Sequence, residues 1–271
     1  MTSYHGGKQK IGKKIASVIC SYIEEVSDDF RGDIKGYCEP FCGMLGVYQH
    51  VFDCLSYKED SLYQKNIKFL AGDYNESLIM MWKKAQKGWL PPTHCSEEKY
   101  EKIKRSKIPS AEKGFIGHQY SYGGQYFKGY RGKYKNKDKY VKAAHNVKDI
   151  ATSLKKVKFS HGPYTQFSKL KGYIIYCDPP YYGSDSYYFD ENHKRLSFDH
   201  LKFWKWCLKM SENNIVFISE YNIPIKEIAK SNDMTISQVR SKIKKIFDKK
   251  VNLTGSTPNK RSRTEKLFVI V

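Results

Sequence analysis

Asp178-Pro179-Pro180-Tyr181 is the stretch of this chain best equipped for chemistry. It joins a carboxylate, two residues without a backbone N–H, and an aromatic ring. Asp178 and the Pro179 carbonyl are acceptors that can take both hydrogens of an exocyclic amine. Tyr181 can stack on the flat ring that carries the amine. Asp-Pro-Pro is also an ordinary turn, so the tetrapeptide alone leaves punctuation and chemistry equally open. Two further segments favour chemistry. Asp73 follows the apolar run 67–72, and an acid there can accept bonds from ribose hydroxyls. Glu39-Pro40-Phe41-Cys42-Gly43-Met44-Leu45-Gly46 is a glycine-containing loop, in which a backbone can approach a ligand closely just before a helix. The loop lacks Gly-x-Gly-x-x-Gly spacing, which argues against a Rossmann oxidoreductase. Together the segments describe a nucleoside-type cofactor site beside a site for a flat amine.

These residues need strands to hold them. Tyr173-Ile174-Ile175-Tyr176-Cys177 reads as a buried strand that the double proline stops at once. Residues 36–41 and 67–72 read as two earlier strands, and 214–219 and 267–271 as later ones, the last paired antiparallel with a segment near 243–251. Helices are expected over 11–26, 44–55, 76–87 (capped by Asn75), 97–105, 138–156, 199–211 and 225–230. In the helix over 199–211, Leu201, Trp204, Leu208 and Phe203 are expected to face the core. Alternating strands and helices imply an α/β fold, a mostly parallel sheet covered on both faces. Between Gly88 and Lys158 the pattern changes. Pro91-Pro92 breaks the chain, a Gly- and Tyr-rich stretch runs from 114 to 132, and no strong core periodicity is visible. This segment reads as an inserted lobe.

Charge says what the lobe is for. The chain has 48 Lys and Arg against 28 acids, a net +20. Residues 121–171 hold 13 of those basic residues against two acids, Asp138 and Asp149. Tyr122, Tyr126, Phe127, Tyr130, Tyr134 and Tyr140 are interleaved with them. Basic side chains neutralise phosphates and aromatic rings stack on bases, so nucleic acid is the expected partner. A second basic stretch runs from Arg240 to Lys266. The seven cysteines are scattered with no Cys-x-x-Cys, and Cys38 and Cys42 lack a second ligand pair, so free thiols in a reducing compartment are expected and no metal. No run of about 18 apolar residues exists, and the N-terminus has no signal-peptide core, so no membrane is expected.

Several motifs, in order along nearly the whole chain, resemble the DNA adenine-N6 methyltransferases, the Dam-like D12 class. Tyr4-His5-Gly6-Gly7-Lys8 is similar to its N-terminal aromatic-x-Gly-Gly-Lys motif. Glu39-Pro40-Phe41-Cys42-Gly43 is similar to its cofactor loop, Gly72-Asp73-Tyr74-Asn75 to its motif after the second strand, and Asp178-Pro179-Pro180-Tyr181 to its catalytic motif. Arg263-Thr264-Glu265-Lys266-Leu267 resembles the basic, Glu-containing segment before its last strand. Departures are Leu45, where the family has Gly or Ala, and Pro163, where many relatives have Asp. The Gly114–Gly117 and Ser121–Phe127 segments resemble a phage and large-virus branch.

The resemblance implies a Rossmann-like methyltransferase fold. The methyltransferase domain would comprise 1–87 and 159–271, and 88–158 an inserted, mainly helical target-recognition domain. It implies S-adenosyl-L-methionine as cofactor, held by Tyr4, Lys8, Glu39, Phe41, Cys42, Gly43, Asp73 and Asp178, with no metal. Asp178, Pro179, Pro180 and Tyr181 would be catalytic, with Tyr181 stacked on a flipped adenine. Double-stranded DNA would be held by Tyr122, Gln125, Lys128, Tyr130, Arg131, Lys133, Arg261 and Arg263. The expected protein is a monomer or weak homodimer in the cytoplasm of a microbe or virus-infected cell, with or without a paired endonuclease. Rival readings are a cytosine-N4 or RNA adenine methyltransferase, or a non-catalytic nucleic-acid-binding homologue.

Overall fold

The computed structural model describes residues 2–26, 34–56, 67–132, 138–184, 197–252 and 262–271. Its centre is a seven-stranded sheet of β1 (Gly36–Glu39), β2 (Lys68–Asp73), β3 (Val157–His161), β4 (Tyr173–Cys177), β5 (Ile215–Glu220), β6 (Ile243–Asn252) and β7 (Ser262–Ile270), in the order β3-β2-β1-β4-β5-β7-β6. The first five strands in that order are parallel, and β7 runs antiparallel to both β5 and β6. This is the expected Rossmann-like α/β sheet, including its antiparallel C-terminal strand.

The central strands are apolar because helices cover both faces. All of β4 and β5 is buried. Within β4, Ile174 and Tyr176 enter the core on one face and Ile175 and Cys177 that on the other, the two-residue period of a strand. The first core takes α1 (Gly12–Glu25), α2 (Tyr48–Ser56) and α3 (Glu76–Gln86), whose start is fixed by the Asn75 side chain accepting the Leu78 N–H. The second takes α7 (His200–Ser211), α8 (Ile225–Ser231) and α9 (Ile236–Lys242).

The chain leaves β1 toward β2 on one side and β4 toward β5 on the other. The adjacent ends of β1 and β4 therefore form the switch point where such sheets open a crevice.

Five details correct the sequence reading. The stretch from 114 to 132 begins inside a buried helix, α5 (Ala111–Gln119), which packs on α3. With α4 (Glu97–Arg105) and α6 (Asp138–Ser153) it belongs to the first core, through Tyr100, Phe115, Ile116, Tyr120, Val147 and others. The lobe shares the sheet's core, so its apolar positions answer to two partners and show no simple period.

Tyr126, Phe127 and Tyr140 are buried core rings, with Tyr140 stacked on Tyr120 at 4.1 Å, and do not offer faces to bases. Tyr134 lies outside the described residues. On α7, Leu201 is exposed while Phe203, Trp204, Trp206, Cys207 and Met210 turn inward. The segment 263–267 lies inside the last strand, not before it. Finally, Cys20 on α1 and Cys54 on α2 form a disulfide; the five other cysteines are free and buried, as small apolar side chains prefer.

Candidate active site

A cavity of about 340 Å³ opens at the switch point, within the size range of small-molecule sites. Its lining comes from the ends of β1, β2, β3 and β4, from the segment Tyr4–Gln9, and from Ser197–Lys202 before and at the start of α7.

The β1 loop is built around a forced turn. Leu45 is fully buried at φ +56°, a conformation that disfavours any residue with a Cβ. Leu45 accepts a strain that a glycine would avoid. Glycine is also needed at the next position, since a Cβ on Gly46 would come within 3.0 Å of the Lys8–Gln9 backbone. Trp82 Nε1 donates to the Gly43 carbonyl at 2.9 Å and fixes the loop to α3.

Asp73 links this loop to β2. Its Oδ2 accepts the Gly43 N–H at 3.0 Å and its Oδ1 the Asn75 N–H at 2.9 Å. Burial pushes its carboxyl up, and the backbone N–H groups oppose that. The Asp73 carbonyl accepts from Gly162, which draws the β3 loop in. There Tyr164 stacks on Phe41 at 5.6 Å, giving the cavity an aromatic wall. On the opposite side Glu39 is 2% exposed and receives the Tyr37 hydroxyl at 2.6 Å. Burial holds its carboxyl well above the ordinary carboxylate range.

Lys8 reaches the end of β4. Its Nζ donates to Asp178 Oδ1 at 2.7 Å, to Asp178 Oδ2 at 2.8 Å and to the Gly6 carbonyl at 3.1 Å. It also lies 4.9 Å from the centre of the Tyr181 ring. Tyr181 donates its hydroxyl to Asp178 Oδ1 at 2.9 Å and also contacts Glu265 of β7. Its ring meets the edge of Tyr221 at 4.4 Å. Behind the turn, Glu220 at the end of β5 accepts the N–H groups of Tyr182 and Tyr221 at 2.9 and 2.7 Å.

Of the expected cofactor residues, Tyr4, Lys8, Glu39, Phe41, Cys42, Gly43, Asp73 and Asp178 all line the cavity, as does Pro180. Pro179 and Tyr181 are buried and are not part of the lining. Among the expected DNA residues, Tyr122 and Lys128 are exposed on the loop after α5, and Gln125 Nε2 is 3.3 Å from His5 Nδ1. That loop holds the N-terminal segment to the lobe: the His5 N–H donates to the Gly124 carbonyl, and Ser3 exchanges two hydrogen bonds with the Gln119 side chain. Gly124 is required there, because a Cβ would come within 2.6 Å of the Tyr4 nitrogen. Tyr130 commits its hydroxyl to the Cys95 carbonyl at 2.6 Å, and Arg131 is half-buried beside it. Lys133 and Arg261 lie outside the described residues, and of Arg263 only the backbone, in β7, is described.

Sequence reasoning missed the walls formed by Tyr164 and by Ser197–Lys202, and the role of Glu220. The last had a readable signal, an acid closing the apolar run 215–219 as Asp178 closes 173–177. Among the described residues no group of three or more His, Cys, Asp or Glu stands where it could hold a metal ion. Nor is any described helix long and apolar enough to cross a membrane.

Residues 113–246 match the family model of the D12 class N6 adenine-specific DNA methyltransferases. The match takes in the second half of the lobe and the whole of β3, β4 and β5, with Asp178 at its centre. No curated protein sequence matches the chain. Among solved structures, one named as a class I S-adenosylmethionine-dependent methyltransferase from Listeria monocytogenes aligns with 96% of this chain at 12% identity and a TM-score of 0.44. This chain spans 59% of that protein. The N-terminal domain of human METTL16, in complex with SAH, aligns with 95% of this chain at 11% identity, over 69% of its own length, with a TM-score of 0.37.

Proposed function

We propose that the protein transfers a methyl group from S-adenosylmethionine to the N6 amino group of adenine within a specific duplex DNA sequence, acting on a base flipped out of the helix. The observation that carries this reading is the Asp178-Pro179 turn at the β4 edge of a nucleoside-sized cavity, inside the segment that matches the D12 class.

The residues present suit the cofactor. Asp73 is a half-buried acid for ribose hydroxyls, and Phe41 and Tyr164 give a flat apolar wall for an adenine ring. Asp178 is an acid for the cationic methionine end, and Glu39, which burial favours in its neutral form, is a hydrogen-bonding carboxyl beside it. When bound, S-adenosylmethionine supplies a methyl group activated by a sulfonium sulfur. The chain's own work is on the acceptor. An adenine amine is a poor nucleophile because its lone pair is conjugated with the ring. Asp178 and the Pro179 carbonyl accept its two hydrogens, favour a pyramidal nitrogen and aim its lone pair into the cavity. Tyr181 receives the base on the ring face that Lys8 now covers. Flipping costs a few kcal/mol, which stacking partly offsets.

DNA is gripped by the exposed part of residues 88–158, with Tyr122, Gln125 and Lys128 beside the cavity mouth and phosphate contacts from the surrounding lysines. The protein acts as a monomer or weak homodimer, in the cytoplasm of a microbe or of a virus-infected cell.

Incubating the protein with radiolabelled S-adenosylmethionine and genomic DNA, followed by nucleoside analysis, tests the reading. N6-methyladenine is the expected product. N4-methylcytosine, label in RNA alone, or cofactor binding without any transfer would each replace it with one of the rival readings.

A further inference from the structure

Glu265 is a carboxyl that the proposed reaction does not use, yet it is 3% exposed and sits on β7 among Leu267, Phe268 and Val269. Burying a carboxyl is costly unless it is engaged. Glu265 has two partners: it contacts the Tyr181 hydroxyl, and the Lys8 ammonium lies 3.7 Å away. The same hydroxyl is 2.9 Å from Asp178 Oδ1. A phenol has one hydrogen, so it can donate to only one of the two carboxyls at a time. The other contact is favourable when that carboxyl brings its own proton. The charged and titratable groups facing this point are Lys8, Asp178, Glu220 and the Tyr176 hydroxyl, one cation among several acids. Burial raises Glu265 above the ordinary carboxylate range, with Lys8 opposing.

We propose that Glu265 is a positioning residue for the transfer: it holds the Tyr181 hydroxyl, which in turn holds the Asp178 carboxylate at the angle that receives the amine. The inference rests on the proposed function. A chain of donors, Glu265 to Tyr181 to Asp178, satisfies all three groups with the hydrogens available. A carboxylate oxygen accepts more than one hydrogen bond, so Tyr181 keeps its hold on Oδ1 when an amine takes the place of Lys8. Tyr221 against the ring edge and Glu220 on the Tyr182 N–H hold the remainder of the turn.

A double-mutant cycle on Glu265→Leu and Tyr181→Phe tests this; leucine roughly keeps the volume and removes the proton that a glutamine amide would still donate. Each single variant is expected to lower kcat about tenfold, the scale of one lost charge-assisted hydrogen bond, with the Kd for S-adenosylmethionine unchanged. The double variant is expected to be no slower than the slower single one, because Glu265 reaches the Asp178 carboxylate through Tyr181 once the amine has taken the place of Lys8. Multiplying losses, or a loss that lies in cofactor affinity, would overturn the inference. The same cycle read by thermal melts is independent of turnover: additive shifts in Tm overturn the contact even if the wild type transfers no methyl group, an outcome that by itself defeats the proposed function.

Discussion

The Lys8 ammonium holds both oxygens of Asp178, at 2.7 and 2.8 Å, and this ion pair closes the end of β4. Lys8 is 7% exposed, so the pair is largely shielded from water. A cation seated on these oxygens and over the Tyr181 ring occupies the place proposed for the substrate amine. Lys8→Met keeps the length of the side chain and removes the charge. It is expected to destabilise the fold on the order of 3 kcal/mol, since breaking a shielded pair strands the acid. Burial would then act on Glu39 and Glu265 without the opposing ammonium. Acids raised in the folded state lose stability as pH rises through their folded values. The Tm gap between wild type and variant should therefore widen from pH 5 to pH 8. A gap that is constant or narrows would show that Lys8 does not neutralise these acids.

Asp178→Asn replaces an acceptor by a group that also donates, while keeping its shape. Methyl transfer should fall by at least about a hundredfold, as when a preorganised polar contact to a reacting group is lost. DNA affinity should stay within about twofold, since phosphate contacts dominate it. Gel shifts alongside turnover measurements separate the two, and full turnover would remove Asp178 from the chemistry.

Glu220 gives a pH dependence of its own. Burial raises its carboxyl to about 8, against the backbone N–H groups it accepts. The folded state then binds more protons than the unfolded one between the ordinary carboxylate value and about 8. Stability contributed by the proton-bound carboxyl is complete below that ordinary value and falls as pH rises, by at most about 1.4 kcal/mol per pH unit. Glu220→Gln does not titrate. Its Tm relative to wild type should therefore climb from pH 4.5 to pH 8 and level off above, and a flat difference would place Glu220 among ordinary ionised acids.

The strand ends that carry Glu39, Asp73 and Asp178 were legible because an acid or proline after a β-branched run is a local signal. The mostly parallel sheet followed from alternation, though not its strand order. What was not legible has physical reasons. β3 carries Lys158, Ser160 and His161 on a sheet edge, so its sequence lacks the apolar run of a central strand. α9 is short and starts on a reciprocal Thr235–Gln238 cap, with Val239 its buried residue. The aromatics of 120–140 could serve a core or a nucleic acid equally well by composition, and tertiary packing sent most of them to the core. Glu265 and Lys8 lie 257 positions apart in sequence and meet only because β7 inserts beside β5. Leu45 is a buried leucine at positive φ, a backbone strain that residue type alone does not announce.

That strain can be measured. Leu45→Ala and Leu45→Gly both remove a fully buried side chain and should each cost about 2–5 kcal/mol. Glycine alone also relieves the left-handed backbone, worth about 1–2 kcal/mol. The glycine variant should therefore melt above the alanine variant, reversing the usual order of these residues. The ordinary order would mean that Leu45 is not held at positive φ.

The lobe loop offers two residues that should report different physics. Lys128 is an exposed cation and Tyr122 an aromatic ring 46% exposed, on either side in sequence of Gln125, whose side chain meets His5 of the cavity lining. If Lys128 meets a phosphate, Lys128→Ala lowers affinity about equally for all DNA sequences and reduces the slope of log K against log salt by about 0.9. If Tyr122 stacks on a base, Tyr122→Ala costs about 1–3 kcal/mol with the slope unchanged. Fluorescence anisotropy on one duplex at four salt concentrations measures both quantities. A wild-type slope near zero would contradict the +20 chain as a phosphate-binding surface, and equal slope changes in both variants would remove Tyr122 from base stacking.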